Sequence, residues 1–219
     1  MAGGVPEKLD LKKQLKYLYL PATKECSLVR VPAMQFAMID GEVEPGVLPG
    51  DSEEFTSAVG ALYGVSYTLK FMSKLRAENP IDYGVMALEG LWTTPEGGAD
   101  FQMSDQWLWT LMIMQPDHIT AAMFAAALDK LRAKYTKETQ DAALLDLMRL
   151  ERFEEGSCVQ VMHLGPYADE PATLARMAEF TAQKGYSFTG RHHEIYLGDP
   201  KTAKPENLKT VLRHPVVLA

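Results

Sequence analysis

Two stretches of this chain carry the same succession of hydrophobic periods, and that recurrence restricts the fold more than any other feature. In the first, SLVRVPAMQFAMIDGEV alternates with period two, setting Met34, Phe36 and Met38 on one strand face and Gln35, Ala37 and Ile39 on the other. A Gly/Pro-rich connector, EVEPGVLPG, leads into a helical run. There Asp51 and Glu54 have the spacing of a capping box, and Phe55, Val59, Leu62, Tyr63 and Ser66 recur at helical intervals to about Arg76. After the Asn79-Pro80 breaker come two strand runs, IDYGVMALEGLW and DQWLWTLMIMQ, separated by the turn-rich TTPEGGAD. In the second stretch GSCVQVMHLGPY reads as a strand. DEPATLARMAEFTAQKG follows as a helix capped by Asp169 and stopped by Gly185, and HHEIYLG and LKTVLRH read as strands.

Between these halves Ile119, Met123, Leu128, Leu131 and Tyr135 form an apolar stripe after Pro116, and TQDAALLDLMRLERF continues as another helix. Ahead of them LKKQLKYLYLP is a short amphipathic piece ended by Pro21. The expected fold is α+β, a single domain over residues 1–219. An N-terminal arm spans 1–25, a first repeat 26–115, linking helices 116–150 and a second repeat 151–219. The halves match in element order rather than in residues, as two pseudo-symmetric β-α-β-β repeats. One three-stranded antiparallel sheet with a helix on its outer face leaves its other face uncovered. Two such units side by side would enclose a central ligand groove, a natural small-molecule site.

Composition narrows the partners. A chain of 219 residues with 47% hydrophobic content can bury a full core. Its formal charge of -7, with lysines and arginines scattered, leaves no basic field for phosphates, so no direct nucleic-acid partner is expected. No apolar run approaches the roughly 20 residues needed to cross a bilayer, and MAGGVPEKLDLKKQ has no hydrophobic region behind its charges. The expectation is a cytoplasmic protein without a membrane partner. Cys26 and Cys158 fit neither a disulfide framework nor a metal knuckle.

The segment richest in chemistry is HHEIYLGDP. Alternation puts Ile195 and Leu197 on one face and His192, Glu194 and Tyr196 on the other. With the apolar face against the helix, Glu194 and Tyr196 face the groove. A carboxylate walled by aromatics there would be partly desolvated, suited to act as a general base or as a partner for a cation. The same alternation also fits an exposed strand with a solvated glutamate, and the residue pattern leaves both readings open. Glu89, set in the apolar run LEGLW, falls near the position corresponding to Glu194 in the other half. It either joins Glu194 as a pair or bonds a backbone or tyrosine partner. Trp92, Trp107 and Trp109 lie in two neighbouring strands, with Trp107 and Trp109 on one face, a wall suited to a flat aromatic ligand. Met112 and Met114 take the opposite face as core. Tyr63 and Tyr67, four apart on the first long helix, could turn a hydroxyl into the groove.

Other chemistries lack their residues. The adjacent His192 and His193 point to opposite strand faces, and His118, His163 and His214 complete no coordination set, so no metal site is expected. No serine nucleophile elbow, phosphate loop or dinucleotide fingerprint occurs.

Taken together, LKKQLKYLYLPATK, MIDGEVEPG, LYGVSYTLKF, LEGLW, WTLMIMQPD, HHEIYLGDP and LKTVLRHPV resemble the GyrI-like proteins over nearly the whole chain. The resemblance implies two β-α-β-β repeats around a ligand groove. The broader superfamily includes a gyrase inhibitor and the effector domains of multidrug-responsive regulators, in which a pocket glutamate meets cationic aromatic drugs; Glu194 matches that position. With no helix-turn-helix segment ahead of the domain, the chain looks like a stand-alone member. The stand-alone branch sharing LYGVSYTLKF, LEGLW and WTLMIMQPD is similar to proteins that hydrolyse cyclopropanoid DNA alkylators of the yatakemycin and duocarmycin kind, without metal or cofactor. On that resemblance Glu194 would activate water. Tyr67, Tyr167 or Tyr196 would hydrogen-bond the developing oxyanion or position the water, and Trp92, Trp107 and Trp109 would hold the ligand by stacking. The competing expectation is a module that sequesters or senses flat aromatic, cationic compounds without turning them over; inhibition of gyrase is a third and less favoured one.

Overall fold

The computed structural model describes residues 5–97, 104–135, 140–198 and 203–219. The chain begins with β1 (Glu7–Leu9), α1 (Leu11–Gln14), α2 (Lys16–Tyr19), β2 (Ser27–Val31) and β3 (Met34–Val43). Next come α3 (Glu53–Leu75), β4 (Ile81–Tyr83), β5 (Leu88–Thr93), β6 (Trp107–Gln115), α4 (Ala121–Arg132) and α5 (Gln140–Leu147). It closes with β7 (Arg149–Phe153), β8 (Gly156–Leu164), α6 (Glu170–Gln183), β9 (Tyr186–Phe188), β10 (His192–Tyr196) and β11 (Lys209–Leu218). Part of TTPEGGAD, Thr139, and Asp199 and Pro200 of HHEIYLGDP lie outside the described residues.

The fold is α+β, built on one large antiparallel sheet in the order β2-β8-β11-β10-β5-β6-β3-β7, with β9 added on β11. Outward from the β5–β10 seam, each half has the same succession: middle strand, last strand, first strand. In each half a helix, α3 or α6, follows the first strand.

Several expected elements divide. The run SLVRVPAMQFAMIDGEV forms two strands, because Pro32 has no N–H for the ladder and ends β2. IDYGVMALEGLW also divides, and its first piece, β4, pairs in parallel with β1 instead of joining the large sheet. RLERF does not continue the linking helix but forms β7, paired with β3. The joints Pro32–Ala33 and Glu154–Glu155 connect strands from opposite ends of the sheet order. Between Val31 and Met34 three Cα steps span at most about 11 Å, whereas β2 and β3, six strand spacings apart, would stand about 29 Å from each other in a flat sheet. The sheet therefore curls until its ends meet.

Helix caps also differ from expectation. Ser52, not Asp51, caps α3, its hydroxyl accepting the Phe55 N–H at 3.3 Å. Asp169 occupies the cap of α6 without a side-chain bond. Gly185 ends α6 at φ 77°, a left-handed conformation suited to glycine.

The two sheet faces are covered differently. Helices α3 and α6 lie over one face, where Leu212, Val159 and Val161 pack with Met177 of α6. Linking helices α4 and α5 pack on α3. The opposite face carries Met112 and Met38 of β6 and β3 as expected, and it receives the N-terminal arm through buried Leu18 and Tyr19. The apolar Ile195 side of β10 thus meets the arm rather than a long helix, which corrects the expectation of a groove on the side away from the helices.

Beneath the arm lies a buried ionic network. Tyr19 donates to Glu89 at 2.6 Å, and His193 spans Glu89 and Glu155 at 3.0 Å each. Arg213 reaches Glu155 at 3.3 Å and the Leu18 carbonyl at 2.7 Å. Two carboxylates and two basic groups thus offset one another out of water, with Arg213 and Gln160 also fixing the arm's carbonyls. Burial alone would raise Glu155, but His193 and Arg213 outweigh it and hold the carboxyl at about 2. Burial likewise opposes charge on His193, and Glu155 and Glu89 overcome it, so its pKa is raised. A depressed carboxyl contributes stability above its unfolded value and loses it as pH falls through the folded one. Glu155→Gln should therefore lower the unfolding free energy by about 3–5 kcal/mol at neutral pH in urea titrations. The gap from the wild type should close as pH falls from 4.5 toward 2.

Candidate active site in the groove between α3 and α6

Strand register builds the site. Glu194 lies opposite Gly90 across the β5–β10 ladder, and His192 opposite Trp92, so Glu194, His192, Tyr196 and Trp92 share the helix-covered face. Phe55, Val59, Tyr63 and Tyr67 approach from α3, and Glu170, Leu174 and Ala178 from α6. Between them lies a groove of about 1920 Å³. Common ligand pockets hold about 300–1,000 Å³, so this one has room for an elongated, multi-ring molecule.

One side is an aromatic wall. Phe55 stacks on Trp92 at 5.7 Å between ring centres, and Trp107 meets Trp92 edge-on at 6.3 Å. Tyr63 and Tyr67 lie 6.4 Å apart along α3. Trp109 does not line the groove. It is 2% exposed, packed edge-on against Phe55 at 5.6 Å and filling space left by Gly41, so it supports the wall from behind. Phe55 is the wall member that periodicity alone presented only as a core position.

Glu194 stands in the middle, its side chain 17% exposed. The Tyr196 hydroxyl lies beside Glu194 and accepts from the Trp92 indole N–H at 2.9 Å. Burial and the Glu194 charge push the Tyr196 phenol far above its usual range. His192 brings Nε2 to 3.4 Å from Glu194. Tyr167, at the mouth, sets its ring edge-on to Tyr196 at 6.1 Å. His214 also lines the groove and stacks on Phe188 at 4.4 Å. Burial, aided by His192, lowers His214 to about 4.

Glu89 does not enter this site. Being offset by one residue from Gly90, it projects through the opposite face into the network with Tyr19 and His193. A different carboxyl takes the place expected for it. Glu170, the first residue of α6, is 7% exposed and lines the groove, and its Oε1 is buried without a hydrogen-bond partner among the described residues. Burial, then the charge of Glu194, pushes its carboxyl up to about 9, against the pull of the α6 dipole. A sequence signal for it exists: Glu170, Thr173, Met177 and Thr181 form the buried stripe of α6 at helical spacing, with an acid at a core position. Among the described residues no three His, Cys, Asp or Glu side chains converge to hold a metal ion.

The pattern of the GyrI-like small molecule binding domain matches residues 24–217. The chain belongs to this family. A protein from Listeria innocua described as uncharacterized and conserved is 39% identical to this GyrI-like protein, with a TM-score of 0.82, covering 95% of this chain and 100% of its own. A hydrolase from Listeria innocua is also 39% identical, with a TM-score of 0.79 and the same coverage of 95% and 100%. The EcmrR C-terminal domain, 11% identical at a TM-score of 0.51 over 89% of this chain and 98% of that one, shares the fold alone. Among curated proteins none matches the chain. The chain thus carries a small-molecule-binding domain, and no helix among the described residues is long and apolar enough to cross a membrane.

Two variants probe how this site is held. A Cβ on Gly90 would stand 2.7 Å from the Trp92 indole nitrogen and 3.1 Å from the Tyr196 oxygen. Gly90→Ala should therefore break their hydrogen bond, cost about 1–3 kcal/mol on thermal or urea unfolding, and change the tryptophan emission. Glu170 gives the opposite sign. A carboxyl raised from 4.5 to about 9 binds more protons folded than unfolded between those values, so its burial erodes stability as pH rises through that window. Glu170→Gln should be more stable than the wild type at neutral pH, with the gain vanishing below pH 4.5.

Proposed function

We propose that this GyrI-like protein hydrolyses the activated cyclopropane of flat, polyaromatic electrophiles, with Glu194 as the base that activates water. The observation that carries the reading is the setting of Glu194: a carboxylate beside Tyr196 and His192 in a groove walled by Phe55, Trp92 and Trp107. Support also comes from the hydrolase of Listeria innocua, similar over 95% of this chain.

The reaction balances on residues of this chain. The water oxygen bonds to the cyclopropane methylene carbon as Glu194 takes its proton, and the ring carbon–carbon bond breaks. The electron pair of that bond flows into the conjugated dienone, whose oxygen becomes a phenolate and is then protonated. Ring strain and a stabilised phenolate leave the protein mainly the tasks of positioning and modest base assistance. Tyr196 acts by positioning, since its oxygen is held by Trp92 beside Glu194. Trp107 and Trp92 stack on the ligand, while Tyr63, Tyr67 and Tyr167 line its path and mouth.

Incubation with a duocarmycin-class spirocyclopropyl dienone, followed by mass spectrometry, should yield the water-opened phenol catalytically. Glu194→Gln should lower kcat by about 10²–10⁴-fold, and Trp107→Ala should weaken binding by about tenfold, read from fluorescence quenching. Stoichiometric binding without product would replace hydrolysis by sequestration, and unchanged turnover in Glu194→Gln would remove it as the base.

A further inference from the structure

We propose that Glu170 is a second catalytic residue of the groove, the general acid that gives its proton to the oxygen receiving the electron pair of the broken ring bond. The inference rests on the hydrolase reading above.

Three observations support it. The acceptor oxygen needs a donor, and the oxygen of Tyr196, the groove phenol closest to Glu194 in the chain, is already held by the Trp92 indole. Glu170 lines the same groove from the facing helix, more than nine-tenths buried, with Oε1 lacking a partner among the described residues; such an atom costs free energy unless a ligand satisfies it. Burial and the neighbouring Glu194 charge also keep the proton on Glu170 up to about pH 9, so the donor is loaded at neutral pH. Two carboxyl groups in one site, one protonated and one accepting protons, form an acid–base pair.

The proton count closes. Glu194 gains one proton from water, Glu170 loses one to the phenolate oxygen, and transfer from Glu194 to Glu170 restores both. No electron leaves or enters the pair, and the net change is addition of one water to the substrate.

Titratable neighbours leave the assignment distinct. Glu194 acts on Glu170 from β10, and His192 and Tyr196 of β10, His214 of β11, Tyr63 and Tyr67 of α3 and Tyr167 ahead of α6 line the same groove. His163 on β8 turns to Thr173 and the Pro166 carbonyl. Tyr196 titrates far above the alkaline range in question and His214 at about 4, so neither accounts for a limb near pH 9, and a limb owed to Tyr63, Tyr67 or Tyr167 would persist in Glu170→Gln.

The test follows turnover of the spirocyclopropyl dienone by wild type and Glu170→Gln across pH. Wild-type kcat should fall with an alkaline limb near pH 9. Glu170→Gln, which keeps a hydrogen-bond donor but cannot transfer a proton, should lower kcat by about 10²-fold, lose that limb and leave KM near the wild-type value. Its defect should shrink for substrates whose phenol product is more acidic. Product formation with kcat and limb unchanged in Glu170→Gln would overturn the assignment and leave hydrolysis standing; no product from the wild type would overturn both. Should the variant fail to fold, the wild-type profile decides, since absence of a limb near pH 9 overturns the proposal.

Discussion

The pairing of β10 with β5 is the contact on which the rest of this molecule depends. It joins the two halves of the sheet, and its register assigns every chemically active residue of HHEIYLG and LEGLW to a face. Strand geometry has a period of two, so a slip of one residue would carry Glu194 into the arm-covered interior and His193 into the groove. The register resists that slip from both sides. Toward the helices, Gly90 leaves space where the Trp92–Tyr196 hydrogen bond crosses the seam, and toward the arm Glu89 of β5 pairs with His193 of β10.

The two faces also show how burial and partners decide the state of a carboxyl group. Glu155 is enclosed almost completely, yet two basic neighbours hold it ionised and fix the joint at which the sheet curls. Glu170 is buried to a similar degree with only another carboxyl as its charged neighbour, and it retains its proton. The arm side is therefore a closed set of matched charges that can stabilise a unique register, while the groove side keeps an unmatched acid facing a ligand-sized volume.

Much of this was legible in the residue pattern, and the failures have identifiable causes. Element order and the facing of Glu194, His192 and Tyr196 follow from periods of 3.6 and 2, which are local properties. Pro32 splits a strand that alternation alone reads as continuous, and RLERF becomes β7 because β3 offers it a ladder, a long-range partner invisible in the run itself. The groove lies under the helices because the arm, with Leu18 and Tyr19, takes the other face; amphipathic pattern reveals that an element packs but not onto which surface. Glu89 and Glu194 occupy comparable places in their halves, yet antiparallel pairing aligns Glu194 with Gly90, and that offset of one residue sends Glu89 away. Trp109 shares a face with Trp107 as alternation requires, but Phe55 stands between it and the groove.

The same physics explains why a site of this kind sits where it costs stability. An acid placed at a core position of α6 without a partner opposes folding over the pH range in which the protein would work, and a glutamine there would relieve that cost. Such a residue makes no sense as packing, since Thr173, Met177 and Thr181 complete the stripe without need of charge. It makes sense if the energy withheld from folding is returned when a ligand hydrogen-bonds the carboxyl, so that groove and substrate complete each other's hydrogen bonding. The ionic network across the sheet supplies the compensating rigidity: His193 joins Glu89 to Glu155, and Arg213 holds the same Glu155 oxygen, so β10 stays in register while its other face lines the groove.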